Sequence, residues 1–264
     1  MAEAAMQGMQ EITRYPHGAF SWGDLLTPDA EGAKRFYGEL FGWTFQDMPM
    51  GEGQVYTFAY RYDKPVVGLM GIPDLPAAVW QSYVSVDDAD AVAAKVRAAG
   101  GTVDDGPVDV NDNGRMVTFH DPAGHPLGAW QPYTFIGAAF AQGAGIAVWR
   151  ELWTDNIEEG MEFYRQVFGW SGQVHKDGEQ SYGGMYSDGE TPVTVIMPNS
   201  AHPDIAHPGW VTYFGSADVP ADAARVQQLG GAVLYGPTVM GGYPFATCRD
   251  PQGGVFLIMG APQS

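Results

Sequence analysis

The sequence has one cysteine and few cationic residues, and each shortage excludes a class of protein. Cys248 alone forms no intrachain disulfide and no cysteine-based zinc site, which fits a reducing cytoplasm. The chain has 13 lysines and arginines and 31 acidic residues, which gives a formal net charge of −18 at pH 7. Such a charge repels nucleic-acid phosphates and anionic lipid surfaces. We therefore expect no nucleic-acid partner and no membrane partner.

Long apolar runs are also missing. Residues 1–15 carry acids and glutamines instead of a signal-peptide core, and residues 136–149 are too short and too rich in glycine to cross about 30 Å of hydrocarbon. Hydrophobic residues nevertheless make up 45% of the chain and aromatic residues 13%, enough apolar surface to form a core. These features predict a globular cytoplasmic protein.

The second half of the chain repeats the first. The segment from Trp22 to Trp43 matches the segment from Trp149 to Trp170 at an offset of 127 (149 minus 22), and both contain the run Phe-Tyr-x-x-x-Phe-Gly-Trp. A Gly-Gly pair and an Asp-Pro-x-Gly turn also recur in each half. Self-similarity of this length indicates a duplicated unit. We predict an N-terminal extension at 1–16, domain 1 at 17–133, a linker at 134–144 and domain 2 at 145–264.

Within each half, a strand-like run, an amphipathic helix and three further strand-like runs occur twice. The first helix is expected to begin with Thr27 as its N-cap and Pro28 at its first position. Apolar residues then recur at helical spacing, at Ala33, Phe36, Tyr37 and Leu40. The second helix is expected to end at the Gly-Gly pair, and the Asp-Pro-x-Gly segments to form hairpin turns. The pattern predicts βαβββ modules in which Phe36 and Tyr37 belong to the core.

These motifs, with the helix opening Asp87-Asp-Ala-Asp90, resemble the vicinal oxygen chelate superfamily of glyoxalases, bleomycin-resistance proteins and dioxygenases. The similarity covers essentially the whole chain. It extends to a tandem actinobacterial branch with a glyoxalase-like mycobacterial antigen and accessory "hydroxylase" proteins of polyketide clusters. The resemblance implies an α+β fold of four βαβββ modules, paired into two curved eight-stranded sheets. The concave face of each sheet would form a ligand cavity.

The resemblance also implies where metal ligands would lie, and those positions hold poor donors. They fall on Trp22, Gln81 and Gly128 in domain 1 and on Trp149, Val211 and Leu257 in domain 2. A transition-metal site needs several histidine or carboxylate ligands. We therefore expect no metal and no cofactor. An alignment shifted by two residues would bring in Asp24 and Glu151, which keeps a metal-dependent glyoxalase or dioxygenase as an alternative.

Strand parity selects the remaining candidates. Side chains two apart on a strand share a face, so Asp24 accompanies Trp22 and Glu151 accompanies Trp149. The same rule places further side chains on the concave faces: Gln81, Tyr83, Trp130, Val211, Tyr213, Leu257 and Met259. Each half is expected to form an aromatic box with one carboxylate.

A carboxylate among aromatic rings is costly to ionise, so its pKa should rise toward neutral pH. Asp24 and Glu151 are therefore the catalytic candidates, with Tyr83 and Tyr213 holding a substrate oxygen. The alternative is that each acid only accepts hydrogen bonds and organises the pocket. His202 and His207, in a proline-rich loop, are expected to be solvated.

We hypothesise a metal-independent protein that binds a hydrophobic aromatic small molecule. Catalysis by isomerisation, lyase or assisted hydroxylation chemistry is one reading, and sequestration without chemistry is the other. The ligand-binding candidates are Trp22, Gln81, Trp130, Trp149, Val211, Leu257 and Met259. An open curved sheet has edges to cover, which suggests a homodimer.

Overall fold

The computed structural model describes residues 11–51, 53–177, 180–201, 205 and 209–263, which form two eight-stranded sheets. Domain 1 contains β1 Phe20–Thr27, α1 Ala30–Phe41, β2 Thr44–Gly51, β3 Gln54–Arg61, β4 Lys64–Gly71, β5 Val79–Ser85, α2 Ala89–Ala98, β6 Thr102–Val110, β7 Gly114–His120 and β8 Pro126–Pro132. Domain 2 contains β9 Ala147–Trp153, α3 Ile157–Phe168, β10 Ser171–Asp177, β11 Gln180–Tyr186, β12 Pro192–Met197, β13 Gly209–Gly215, α4 Val219–Gln228, β14 Ala232–Met240, β15 Tyr243–Arg249 and β16 Val255–Met259.

The two sheets have the same strand order, β2-β3-β4-β1-β5-β8-β7-β6 in domain 1 and β10-β11-β12-β9-β13-β16-β15-β14 in domain 2. Each sheet joins two βαβββ modules through one antiparallel pair, β1 with β5 and β9 with β13. The predicted α+β fold, with four modules paired into two curved sheets, is confirmed. The Asp-Pro-x-Gly segments lie between β7 and β8 and between β15 and β16, as expected.

The start of α1 differs from the prediction. Asp29 is the N-cap, with its carboxylate accepting a hydrogen bond from the Gly32 N–H at 2.9 Å. Thr27 is the last residue of β1, and its hydroxyl oxygen accepts from the Asp29 N–H at 3.3 Å. The predicted cap was wrong by two residues because the strand continues through Thr27. The predicted end of α2 is confirmed, since Gly100 has a φ of 86° just after the helix.

The four helices of the described chain pack across the domain boundary. One core cluster combines Phe36, Tyr37 and Phe41 of α1 with Phe214 and Phe256 of domain 2. A second cluster combines valines of α2 with aromatic residues of α3, namely Val92, Val96, Phe163, Tyr164 and Phe168. The prediction that the Phe-Tyr pairs are core residues is confirmed. The two largest core clusters are therefore each built from residues of both domains.

A buried hydrogen-bonded chain accompanies each shared core. Trp80 Nε1 donates to the Tyr37 hydroxyl at 3.2 Å, and that hydroxyl donates to Asp250 at 2.8 Å. In the other copy, Trp210 Nε1 donates to the Tyr164 hydroxyl at 2.9 Å, which donates to Asp121 at 3.1 Å. Both aspartates open an Asp-Pro-x-Gly turn of the opposite domain. The turn residue therefore also joins the two domains.

The two turn aspartates differ in their remaining partners. His125 Nδ1 lies 2.8 Å from Asp121 Oδ2, whereas Gly254 occupies the matching position beside Asp250. Burial raises the pKa of Asp121, but hydrogen bonds from His125 and Tyr164 outweigh it and the net pKa is lowered. Burial dominates at Asp250, whose pKa is raised. Asp121 is the better stabilised of the two carboxylates.

Within the described ranges, no helix is long and apolar enough to cross a membrane. His202 and His207 lie outside the described residues.

Candidate functional site

The concave face of the first sheet encloses a cavity of about 190 Å³, here called the domain 1 cavity. Its walls are aromatic, formed by Trp22, Phe58, Trp130 and Phe135. Its polar side chains include Asp24, Tyr56 and Tyr83, and methionines from β2 and β7 contribute at Met48, Met50 and Met116. Because β2 and β7 lie near opposite edges of the sheet, the sheet has to curl for their side chains to line one cavity.

Asp24 is the centre of the polar wall. Its Oδ1 accepts hydrogen bonds from Trp22 Nε1 at 2.9 Å and from the Tyr56 hydroxyl at 2.6 Å. Tyr83 also donates to this carboxylate. The side chain is only 8% exposed yet lines the cavity. The arrangement is a carboxylate held by three donors within an aromatic enclosure.

Burial raises the pKa of the Asp24 carboxyl above its ordinary value, and the three hydrogen bonds oppose that rise only in part. Burial also raises the pKa of Tyr56 and Tyr83 well above the usual range, and the neighbouring carboxylate adds to the effect. Both phenols therefore remain protonated donors at neutral pH. The site is a desolvated carboxyl group faced by neutral hydroxyl groups.

Two glycines make room for this network. A Cβ at Gly68 would lie 2.0 Å from the Tyr56 hydroxyl and 2.1 Å from Asp24 Oδ1. A Cβ at Gly128 would lie 2.2 Å from the Tyr83 ring. Real Cβ atoms do not approach other heavy atoms so closely, so the positions of Tyr56, Asp24 and Tyr83 all depend on glycine at these sites.

The second sheet encloses a smaller cavity of about 150 Å³, here called the domain 2 cavity. It is lined by Trp149, Glu151, Tyr213 and Met259 with Met197, Met240, Tyr243 and Phe245. Glu151 Oε2 accepts hydrogen bonds from Trp153 Nε1 at 2.8 Å and from the Tyr213 hydroxyl. Burial raises the pKa of Glu151, partly opposed by these two hydrogen bonds.

The domain 2 cavity lacks the space that glycine creates in domain 1. Strand register matches Gly68, opposite Asp24, with Val195, opposite Glu151. It likewise matches Gly128, beside Tyr83, with Leu257, beside Tyr213. Leu257 is fully buried in a cluster with Trp153, Val211, Tyr213 and Phe245. Apolar side chains therefore fill part of the volume that stays open in domain 1.

The tyrosine of the third strand also behaves differently in the two halves. Tyr56 donates to Asp24, whereas its counterpart Tyr182 stacks on His175 with the ring centroids 5.2 Å apart. Phe58, a wall of the domain 1 cavity, is replaced at the matching position by Gly184. The duplicated acids thus sit in two distinct environments.

The structure brings most of the predicted site residues together. Trp22, Asp24, Tyr83 and Trp130 line the domain 1 cavity, and Trp149, Glu151, Tyr213 and Met259 line the domain 2 cavity. The other three predicted residues, Gln81, Val211 and Leu257, are buried beside the cavities instead of lining them. The Gln81 amide donates to the Ser82 carbonyl oxygen at 3.3 Å.

Sequence reasoning missed the contribution of β3. Tyr56 and Phe58 lie two residues apart and share the concave face, as strand parity would have indicated. It also missed Phe135, which follows β8 and packs edge-on against Trp22 with the centroids 4.9 Å apart. Phe135 belongs to the stretch predicted as a linker, for which periodicity offers no signal.

Both halves of the chain match one family model, described as the Glyoxalase/Bleomycin resistance protein/Dioxygenase superfamily, over residues 19–128 and 146–258. The chain belongs to this superfamily. A protein of Mycobacterium tuberculosis (strain CDC 1551 / Oshkosh), named "Putative glyoxylase CFP32", is 34% identical over 267 residues, which cover 97% of this chain and 100% of that protein. Anthracycline biosynthesis protein DnrV of Streptomyces peucetius is 31% identical over 264 residues, which cover 94% of this chain and 95% of DnrV.

Solved structures of other proteins share the fold. The Mn(II)-bound glyoxalase from Novosphingobium aromaticivorans superposes with a TM-score of 0.67 at 17% identity, covering 94% of this chain and 83% of that one. The 2,3-dioxygenase LapB from Pseudomonas sp. KL28 superposes with a TM-score of 0.66 at 15% identity, covering 94% of both chains. At these identities the likeness concerns the fold alone.

The residues that line the two cavities do not fit a divalent cation such as Mn(II). The described parts of the chain contain no group of three or more histidine, cysteine, aspartate or glutamate side chains that could hold a metal ion. Asp24 and Glu151 each stand in their cavity without a second carboxylate or a histidine in the lining. The oxygens of both acids are directed to tryptophan and tyrosine donors. One carboxylate surrounded by N–H and O–H donors is a poor metal site.

The raised pKa of Asp24 predicts a pH-dependent difference between the wild type and an Asp24→Asn variant. In the folded protein the Asp24 carboxyl keeps its proton at pH values where the same group in the unfolded chain, with an ordinary pKa of 3.8, has released it. The stability of the wild type should therefore fall relative to Asp24→Asn as the pH rises above 3.8, and level off above the raised pKa. Denaturant unfolding of both proteins between about pH 4 and about pH 8 measures this difference. A difference that is constant with pH would contradict burial of an ionisable Asp24.

Proposed function

We propose that this protein binds an aromatic small molecule bearing a hydroxyl or carbonyl oxygen in the domain 1 cavity, without a metal ion. The observation that carries the proposal is a single buried carboxylate, Asp24, set in a box of aromatic rings. Such a box favours flat apolar ligands by stacking and edge-to-face contact. The polar groups at one wall would orient the ligand oxygen, as in most small-molecule sites.

The domain 1 cavity is the better candidate of the two. Gly68 and Gly128 leave its polar network open, whereas Val195 and Leu257 occupy the matching positions in domain 2. Its lining also contains more aromatic rings, including Phe58 and Phe135. We therefore assign ligand binding to domain 1 and regard the domain 2 cavity as mainly packing.

Cavity size supports an aromatic ligand of one or two enclosed rings. An apolar cavity of about 150 Å³ admits one benzene ring, and the domain 1 cavity measures about 190 Å³. A larger ligand would extend past Met48 and Met50, which line the cavity and are 44% and 52% exposed. Methionine side chains adapt readily to varied apolar shapes. Relatives named for anthracycline biosynthesis support a ligand with fused rings.

Acid or base catalysis is a second candidate, favoured by the raised pKa of Asp24. A carboxyl group that titrates closer to neutral pH exchanges protons efficiently with a ligand oxygen or an adjacent carbon. The opposing observation is that Tyr56, Tyr83 and Trp22 already donate to it. Recovery of a bound compound in altered form distinguishes an enzyme from a sequestering protein.

We place either activity in the cytoplasm, since the chain's single cysteine, Cys248, is buried and unpaired.

The binding test uses 1-naphthol, a two-ring phenol, followed by quenching of tryptophan fluorescence. Trp130→Ala removes one aromatic wall and is expected to weaken binding at least about tenfold, the equivalent of about 1.4 kcal/mol. Trp130→Phe keeps a ring at that wall and should retain most of the affinity. Because Trp130 also packs in the core, circular dichroism of both variants verifies the fold.

Domain 2 offers a matched control. Strand register places Met259 where domain 1 has Trp130, and both side chains line their cavity. Met259→Ala is expected to leave 1-naphthol binding unchanged. Equal weakening by both alanine variants, or no weakening by Trp130→Ala, would refute the assignment to domain 1.

A further inference from the structure

A third cavity, here called the interdomain cleft, lies between the first strands of the two domains. It measures about 180 Å³ and is lined in part by Tyr15, Phe20, Ser21, Ala141, Arg150 and Thr191. Ser21 belongs to β1 and Arg150 to β9. Arg150 alternates along β9 with Trp149 and Glu151, which line the domain 2 cavity. Trp149 lines both the cleft and the domain 2 cavity, so these two cavities are neighbours, whereas the cleft shares no lining residue with the domain 1 cavity.

Arg150 is an unusual residue for this position. It is only 6% exposed, and its counterpart in domain 1 is Gly23 (150 minus 127). Its Nη2 lies 3.6 Å from the point that a Cβ of Gly23 would occupy, so the guanidinium extends over the first strand of domain 1. Since only one half of the duplication has this arginine, the shared fold does not require it.

The guanidinium of Arg150 has few hydrogen-bond partners among the described residues. Nη1 donates to the Ala147 carbonyl oxygen at 2.9 Å, and the group lies 5.7 Å from the Phe20 ring centroid. Nε is buried without a hydrogen-bond partner, and none of the ion pairs in the described chain involves Arg150. A buried cation without a counterion carries a large desolvation cost.

Ser21 adds a second unsatisfied group in the same cleft. Its Oγ is buried and has no hydrogen-bond partner. Two other hydroxyl groups of the cleft already have acceptors, because Tyr15 donates to the Ala138 carbonyl oxygen at 2.9 Å and Thr191 donates to Asp188 at 2.8 Å. Two residues that line the cleft, one from each domain, therefore each carry a buried polar atom without a hydrogen-bond partner.

We propose that the interdomain cleft binds a small oxyanion, a carboxylate or a phosphate-type group, on Arg150 and Ser21. An oxyanion accepts paired hydrogen bonds from a guanidinium and neutralises its charge. Burial lowers the pKa of Arg150 to about 10, which leaves the group protonated at neutral pH. Because Ser21 and Arg150 belong to different domains, a bound anion stabilises their association. This site is separate from the domain 1 cavity and does not depend on the function proposed for it.

The test measures thermal unfolding of the full chain in sodium phosphate, sulfate or acetate, with sodium chloride holding ionic strength constant. The wild type is expected to show a saturable rise in Tm with at least one oxyanion, as for any ligand that binds only the folded state. Arg150→Gln should weaken the apparent affinity at least tenfold, and Ser21→Ala several-fold. Preference for acetate assigns a carboxylate ligand, and preference for phosphate or sulfate assigns a tetrahedral one.

Two further variants keep the result interpretable. Ala141→Leu retains Arg150 but fills the cleft, so it should abolish the oxyanion effect even if Arg150→Gln folds poorly. Arg165→Gln removes an exposed arginine paired with Glu162 and should leave the effect unchanged. The proposal is overturned if the wild type shows no saturable rise, if chloride produces the same rise, or if Ala141→Leu responds like the wild type.

Discussion

Replacing Gly68 by valine, the residue at the matching position of domain 2, is expected to weaken 1-naphthol binding at least about tenfold. A Cβ at this position would lie 2.0 Å from the Tyr56 hydroxyl and 2.1 Å from Asp24 Oδ1. Tyr56 and Asp24 therefore have to move, and the polar wall of the domain 1 cavity is lost. Overpacking of this kind also lowers the free energy of unfolding by about 1–3 kcal/mol.

Fluorescence titration measures the affinity of Gly68→Val, and denaturant unfolding measures its stability. Val195→Ala is the matched control, because it reduces the corresponding side chain beside Glu151 and should leave binding unchanged. If Gly68→Val bound 1-naphthol as the wild type does, the Asp24 network would have no part in recognition.

Removal of Tyr37 is expected to produce the largest loss of stability. Its ring is fully buried, stacks on Trp43 and meets Trp80 and Phe256 edge-on. Tyr37→Ala should lower the free energy of unfolding by about 3–5 kcal/mol, as for other buried aromatic truncations. Tyr37→Phe removes only the hydroxyl group and should cost about 1–3 kcal/mol, because buried Asp250 loses a donor.

Tyr164→Phe is the matched variant and is expected to cost less than Tyr37→Phe. Asp121, the acceptor of Tyr164, retains His125 at 2.8 Å, whereas Asp250 has no equivalent side-chain donor. Denaturant unfolding of the two phenylalanine variants gives the comparison. Equal costs would show that His125 does not compensate for the lost hydroxyl group.

Much of the fold could be predicted from residue patterns. The repeat, the helical spacing of Phe36 and Tyr37 and the Gly-Gly helix ends indicated four βαβββ modules, because local periodicity reports which face of an element is buried. Strand parity also brought Trp22 and Asp24 onto one face with Tyr83 and Trp130. The start of α1 was misplaced because Thr27 and Asp29 are both good N-cap residues, and only the extent of β1 selects between them.

Long-range features were beyond prediction from one sequence. Nothing in the local pattern of Asp121 or Asp250 reveals that each accepts a hydrogen bond from the opposite domain. The pairing of α1 with α4 and of α2 with α3 depends on how two sheets pack, and contacts between helices far apart in the sequence leave no periodic signal. The interdomain cleft has the same origin, since Arg150 and Ser21 are 129 positions apart (150 minus 21).

The sequence by itself determined the duplication, the module type and the presence of one acid in each aromatic box, because all three depend on short-range spacing. The tertiary structure alone decided that the two boxes are not equivalent. Gly68 and Gly128 matter through the side chains that face them from neighbouring strands, Tyr56 and Tyr83. Only the folded sheet places those side chains over the glycines, and steric space there separates the open domain 1 cavity from the filled one.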